Sequence, residues 1–181
     1  PGIEIILDVA GSDAVTARVL ARSADIGFTF NPASLEGLDV VHEKPMKIGA
    51  IMAPDHPLAG NKTVALAQCL EHPYAWPARG LSLRSALDMG LRGANGAARP
   101  VLESNSLRVM AAMARQGRCV AFQTVIGVAQ HLDTKALTFI PLRDKAVPAD
   151  RFMIVRQSGR KLGPAAEAFL SFVSGPLAKL V

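Results

Sequence analysis

A chain of 181 residues, half of them hydrophobic and 19% charged, is long enough to bury a substantial core and too apolar to stay disordered. No apolar run reaches the length that crosses a bilayer. The net charge of +5 comes from cations placed singly, with aromatics at only 5%, which describes a solvated basic surface rather than a nucleic-acid footprint.

In chain order, Ile3 to Val9 is a near-continuous apolar run, the pattern of a buried parallel strand. Gly11-Ser12-Asp13 opens a helix expected to reach Arg22, with Val15, Val19 and Leu20 facing inward. Ala24 to Phe30 is the next strand, stopped by Asn31-Pro32, and a right-handed βαβ crossover is expected here. Leu38 to His42 and Met46 to Met52 are further extended segments. Two prolines, Pro54 and Pro57, then break regular structure.

Beyond the break come a short helix (Val64 to Leu70), a brief strand at Pro73 to Pro77, and a helix from Leu83 to Leu91 ending in a turn at Gly93 to Gly96. The stretch from Leu102 to Thr124 is the best defined. An apolar strand at Pro100 to Leu102 breaks at Ser104-Asn105-Ser106, residue types that accept hydrogen bonds from the free N–H groups of a helix's first turn. Leu107, Met110, Ala111 and Ala114 give the helix that follows one apolar face. Gly117 stands where a left-handed stop is wanted, and Cys119 to Phe122 forms a second buried strand. Val125 to Leu132 reads as helical and Leu137 to Leu142 as extended. A second break spans Lys145 to Asp150, Phe152 to Val155 is a buried strand, and Pro164 starts a terminal helix to Leu180. That helix should present Phe169, Phe172 and Val173 inward, with Pro176 kinking it or ending it early.

Two polar breaks enclosing a block with its own strands and helices predict an α/β fold of two Rossmann-like subdomains on a two-strand hinge. The boundaries predicted are 1–54 plus 148–181 for one and 55–147 for the other. Reaction chemistry is thin. Gly80-Leu81-Ser82-Leu83-Arg84 puts Arg where a nucleophile elbow needs its second Gly. Gly90 to Gly96 has the wrong spacing for a dinucleotide loop. His42, His56, His72 and His131 lack metal-ligand spacing and read as surface or turn residues. Asp8, Asp25 and Glu103 near strand ends read as caps or ion-pair partners, and Cys69 and Cys119 as reduced thiols. No cofactor, metal or turnover is expected.

The order of elements resembles the effector-binding domain of LysR-type transcriptional regulators. The residues that carry the likeness are Gly11-Ser12; Ala24-Asp25-Ile26-Gly27-Phe28; Gly37-Leu38; His56-Pro57-Leu58-Ala59; Glu103-Ser104-Asn105-Ser106; Gly117; and Pro164-Ala165-Ala166 with Phe169-Leu170. The resemblance covers nearly the whole chain. It implies a type 2 periplasmic-binding-protein-like fold, a small effector in an interlobe cleft, a cytoplasmic setting, and a homodimer or tetramer of the complete protein. It also implies DNA contact through an N-terminal domain, not through this segment. The family domain normally begins with a strand and helix ahead of Ile3 to Val9, and both are expected to be absent here. The family's usual Leu-Pro is Phe122-Gln123. A periplasmic solute-binding protein of a transporter shares the two-lobed fold and is the alternative.

The ligand site is expected at helix starts that follow strand ends, where small anions bind. The candidates are Gly11 and Ser12, the turn from Ala78 to Ser82 with Arg79, Ser104, Asn105 and Ser106, and Arg84 as a second possible cation. Phe30, Asn31 and Gln123 join them from strand ends. N–H donors, hydroxyls, amides and a cation together predict a small organic acid as the ligand.

Overall fold

The computed structural model describes residues 2–91 and 99–179, and the expected turn at Gly93 to Gly96 lies outside them. The chain divides into two compact units, 1–45 with 151–181 and 46–150. The expected boundaries had assigned residues 46–54 to the first unit. They fall in the second because of strand pairing described below, and residues 148–150, also expected in the first, fall there too.

The first unit contains α1 (Ser12–Leu20), β1 (Gly27–Phe30), β2 (Leu38–Met46), and, from the far end of the chain, β8 (Asp150–Gln157) and α6 (Pro164–Lys179). Its sheet runs β1-β8-β2, and β1 pairs antiparallel with β8, Gly27 opposite Val155 and Phe30 opposite Phe152. Val19, Met153 and Val155 form its core, with Ala24, Leu35 and Leu38 packed against them. Gly27 lets α1 lie close on the strand: a Cβ there would come within 2.9 Å of Val15 Cγ1 and 3.0 Å of Val19 Cγ2.

Several expectations fail in this unit. Residues 2–10 form no strand, and Ile6, Leu7 and Val9 are 80–90% exposed (90%, 80% and 86%). A parallel strand is buried only when neighbours flank it, and β1 has taken β8 as its antiparallel partner, so the expected βαβ crossover does not form. α1 stops at Leu20, which is exposed, while Thr16 takes the inward position beside Val19. Among the α6 residues whose side chains are described, Leu170 is buried, whereas Phe172 is 75% exposed. The helix also continues to Lys179 rather than ending at Pro176.

The second unit carries β3 (Ile48–Met52), α2 (Leu66–Leu70), β4 (Ala75–Pro77), α3 (Ser82–Gly90), β5 (Leu102–Ser104), α4 (Leu107–Arg115), β6 (Ala121–Thr124), α5 (Ala129–Asp133) and β7 (Thr138–Pro141). β3 is sandwiched by two antiparallel partners, β6 and β7, and that pairing is why it belongs here. β4 and β5 pair in parallel, and the bridge between Tyr74 and Val120 joins β4 to the front of β6.

Alternation along β3 and β6 supplies two cores. Ala50, Met52, Val120 and Phe122 face α2 and α3 through Leu66, Cys69, Leu83 and Leu87. Ile51, Ala121 and Ala75 face Met110, Ala111 and Ala114 of α4. Helices therefore cover both faces, which is why β3 is buried at all five positions. α4 follows its local signals closely. Ser106 is the N-cap, its Oγ accepting from the Val109 N–H at 3.3 Å. Gly117 has φ +69° and donates its N–H to Ala114 O at 3.0 Å.

Candidate functional site

In the first unit, Gly11 is the extended N-cap of α1 (φ −67°, ψ 158°) and offers no side-chain cap. Ser12 Oγ accepts the Phe30 N–H at 3.3 Å, and Thr29 Oγ1 donates to Ser12 O at 3.4 Å. Asn31 takes a left-handed conformation, φ +39°, which Asn tolerates better than most residues. Its N–H donates to Arg151 O at 3.2 Å, and its Oδ1 accepts the Arg151 N–H at 3.3 Å. The Phe30 ring lies 5.3 Å from that of Phe152. The four candidates of this unit thus meet where α1 starts and β1 ends, and their polar atoms hold that corner together.

In the second unit the ends of β4 and β5 are tied by the Ala78 N–H, which donates to Ser104 O at 2.9 Å. The starts of α3 and α4 follow these two strand ends. At α4, Ser104 Oγ accepts the Ser106 N–H at 3.0 Å and Ser106 Oγ accepts the Val109 N–H. A helix's first four N–H groups have no partner within it, so the Leu107 and Arg108 N–H groups remain for an outside acceptor. Asn105, on the approach to them, is exposed. Gln123 is 1% exposed; its Nε2 donates to Leu107 O at 2.7 Å, fixing the β6 end to the first turn of α4. Gln123 Oε1 is buried and has no hydrogen-bond partner among the described residues, and it lies against Gly127, where a Cβ would approach it to 2.4 Å.

The α3 start differs. Ser82 Oγ donates to Asp150 Oδ2 at 3.2 Å, and Asp150 is 3% exposed. A carboxylate of the chain itself therefore holds the hydroxyl at this helix start, a role that the polar break at 145–150 gave no sign of. Arg84 is also engaged within the unit: Nε to Asp88 at 2.8 Å, Nη1 to Pro77 O at 3.0 Å and to Glu103 at 3.3 Å. Arg79 is exposed beside Gly80, which has φ +89°, and it makes no ion pair among the described residues.

Burial, with help from the Asp144 carboxylate, pushes the Cys69 thiol up to about 12, and burial raises Cys119 as well. Both thiols are free and buried, so neither supplies thiolate near neutral pH. No group of three His, Cys, Asp or Glu side chains able to hold a metal occurs among the described residues. No helix described is long and apolar enough to cross a membrane. A groove of about 510 Å³ in the first unit is lined by Ile3, Ile5, Val15, Phe28 and Phe169 among others; it is mostly apolar, and none of the candidate donors lines it.

The model of the LysR substrate binding domain family matches residues 1–176. The RuBisCO operon transcriptional regulator of Allochromatium vinosum is 23% identical over 180 residues, which is 99% of this chain and 59% of the relative's length. The chain therefore spans well under two thirds of that protein. Among solved structures, HinK of Pseudomonas aeruginosa, a LysR family transcriptional regulator, matches with a TM-score of 0.72 at 16% identity, over 100% of this chain and 62% of its own. The CcmR regulatory domain of Synechocystis PCC6803, in complex with 2-PG, matches at 0.71 and 19%, covering 97% and 84%. The effector binding domain of QuiR, in complex with shikimate, matches at 0.68 and 14%, covering 90% and 76%.

Proposed function

The chain belongs to the LysR substrate binding domain family, and from that premise we propose that it senses a small organic acid through the paired helix starts of its second unit. The observation that carries this reading is the α4 start. Ser104 and Ser106 satisfy two of its N–H groups and leave those of Leu107 and Arg108 open beside exposed Asn105. Arg79, across the Ala78–Ser104 bond, is the cation of choice, since Arg84 is held by Asp88 and Glu103. Asp150 already holds the Ser82 hydroxyl at the α3 start, so the ligand's carboxylate goes to α4. Gly11, Ser12, Phe30 and Asn31 shape the corresponding corner of the first unit. The two units act as the regulatory subdomains of a longer regulator, which contacts DNA through a further domain and works as a cytoplasmic homodimer or tetramer. The domain binds its effector and releases it unchanged. The alternative of a transporter's solute-binding protein is not favoured by the family match.

A helix terminus contributes about 0.3–1 kcal/mol, up to roughly 2 when partly buried. A hydrogen bond to a charged group adds about 1.5–3 kcal/mol. Micromolar affinity requires about 8 kcal/mol, so N–H groups, Asn105 and Arg79 have to act together. A thermal-shift screen of short mono- and dicarboxylates, hydroxy acids and phosphorylated acids tests the reading. An acid at about 100 times its Kd should stabilise the chain by about 2.7 kcal/mol, a rise of roughly 5–10 °C for this size. Asn105→Ala and Arg79→Ala should each cut that rise. A hit whose shift survives both substitutions would put the site elsewhere, and conversion of the bound acid to a product would make the domain an enzyme.

A further inference from the structure

The turn at 53–61 leaves β3 and carries Asp55, His56, Pro57 and Leu58. Its backbone closes on itself: the His56 N–H donates to Ala53 O at 3.1 Å, Ala59 to His56 O at 2.8 Å, and Asn61 to Leu58 O at 3.1 Å. Two further closing bonds use side chains: the Leu58 N–H donates to His56 Nδ1 at 3.2 Å, and Asn61 Nδ2 donates to Leu58 O at 3.1 Å. An imidazole nitrogen that accepts has no proton of its own, so the neutral ring carries its proton on Nε2. A second imidazole lies against the first. The His56 and His72 ring centroids are 4.7 Å apart with planes at 67°. His72 stands just past α2, its N–H on Cys69 O at 3.3 Å. Leu58 and Ala59 pack against the core that holds Leu66 and Cys69 of α2.

We propose that the His56–His72 pair is an acid-sensitive latch, closed while the His56 ring is neutral and opened when that ring takes a proton, releasing the 53–61 turn from the end of α2. The added proton can go only to Nδ1, so it evicts the Leu58 N–H. The resulting cation then faces a second imidazole at contact distance. Among the described residues, the titratable groups that act on the ring's charge are His72, from the end of α2, and Asp55, from the turn itself. Burial first and His72 second hold His56 below its ordinary value of 6.5, while Asp55 opposes them. Folded His56 thus binds its proton more weakly than unfolded His56. The latch is at full strength above the unfolded value, and its stability is lost as pH falls from there through the lowered folded one. The same geometry disfavours a metal on this pair, because Nδ1 already faces an N–H and Nε2 carries the ring proton.

The experiment uses the full chain, with histidine resonances and amide exchange followed by NMR from about pH 8 to about pH 5, spanning the ordinary histidine range. His56 should titrate below the histidine of an unstructured peptide. Exchange at Leu58 and Ala59, corrected for its intrinsic pH dependence, should speed up several-fold over the same interval. His56→Asn keeps an acceptor for the N–H two residues on without a proton to gain, so its exchange should stay level. His72→Phe keeps the ring contact but removes the second imidazole, and His56 should then titrate higher. A His56 that titrates at or above the peptide value overturns the latch without any variant being needed. So does an acid response retained in His56→Asn, or a His56 titration unmoved by His72→Phe.

Discussion

Phe122→Ala should lower the unfolding free energy by about 3–5 kcal/mol, the range for deleting a buried aromatic side chain. Phe122 is fully buried, sits opposite Ala50 across the β3–β6 ladder, and meets the Trp76 ring edge-on at 5.3 Å. It shares one cluster with Leu66, Leu83 and Leu87, from two helices. Since domains of this size are stable by only about 5–15 kcal/mol, the loss should shift the urea midpoint strongly with little change in slope. Phe28→Ala provides the contrast. Phe28 is 37% exposed, so its removal leaves less unfilled space and should cost clearly less. Equal losses for the two variants would mean that the Trp76–Phe122 cluster is not the centre of packing.

Gly49→Ala should destabilise through the opposite error, too much matter in a closed space. A Cβ at residue 49 would stand 2.5 Å from the Phe139 ring and 2.8 Å from Ile140 O. The ring could swing aside, but the carbonyl belongs to the β3–β7 ladder, in which Gly49 pairs with Pro141 and Ala50 with Ile140. Overpacking costs typically about 1–3 kcal/mol, and backbone on one side of the clash argues for the upper end. Thermal melts would detect it as a Tm drop of several degrees. A melt indistinguishable from that of the parent would require strand β7 to stand farther from β3 than it does here.

What could be read from the sequence was set by how local the governing interaction is. Ser106 and Gly117 act within one helical turn, and α4 appears between them as expected. Ile3 to Val9 has the same composition as a central strand, but burial depends on flanking strands, and none pairs with it among the described residues. Leu20 and Phe172 fit an apolar face by spacing and still end exposed, because that face extends beyond what packs against it. The segment 46–52 was legible as a strand. Its unit was not, since both β6 and β7 lie far along the chain.

The candidate site divides the same way. The Ser104–Ser106 cluster was recognisable from residue type and position. Arg84 had the look of an available cation, though Asp88 at i+4 was a visible sign that the pair would close on the helix surface. Its second partner, Glu103, and the Ser82–Asp150 bond join distant segments, and no spacing rule announces them. Gln123 was singled out as a departure from the pattern it resembled. Its bond to Leu107 O required knowing which helix start meets the end of β6.

The pairing of β1 with β8 has a consequence for synthesis on the ribosome. The first unit is interrupted, its opening 45 residues completed only by 151–181, whereas 46–150 is continuous. At roughly 5–20 residues per second, Gly27 to Phe30 emerge on the order of ten seconds before their partners at 152–155. The inner unit can reach its native pairings during that wait. The outer one remains an unpaired strand beside an exposed apolar stretch at 3–9, which is the condition under which nascent chains aggregate or engage chaperones. Closing so long a loop also places the outer unit last and slowest in refolding from denaturant.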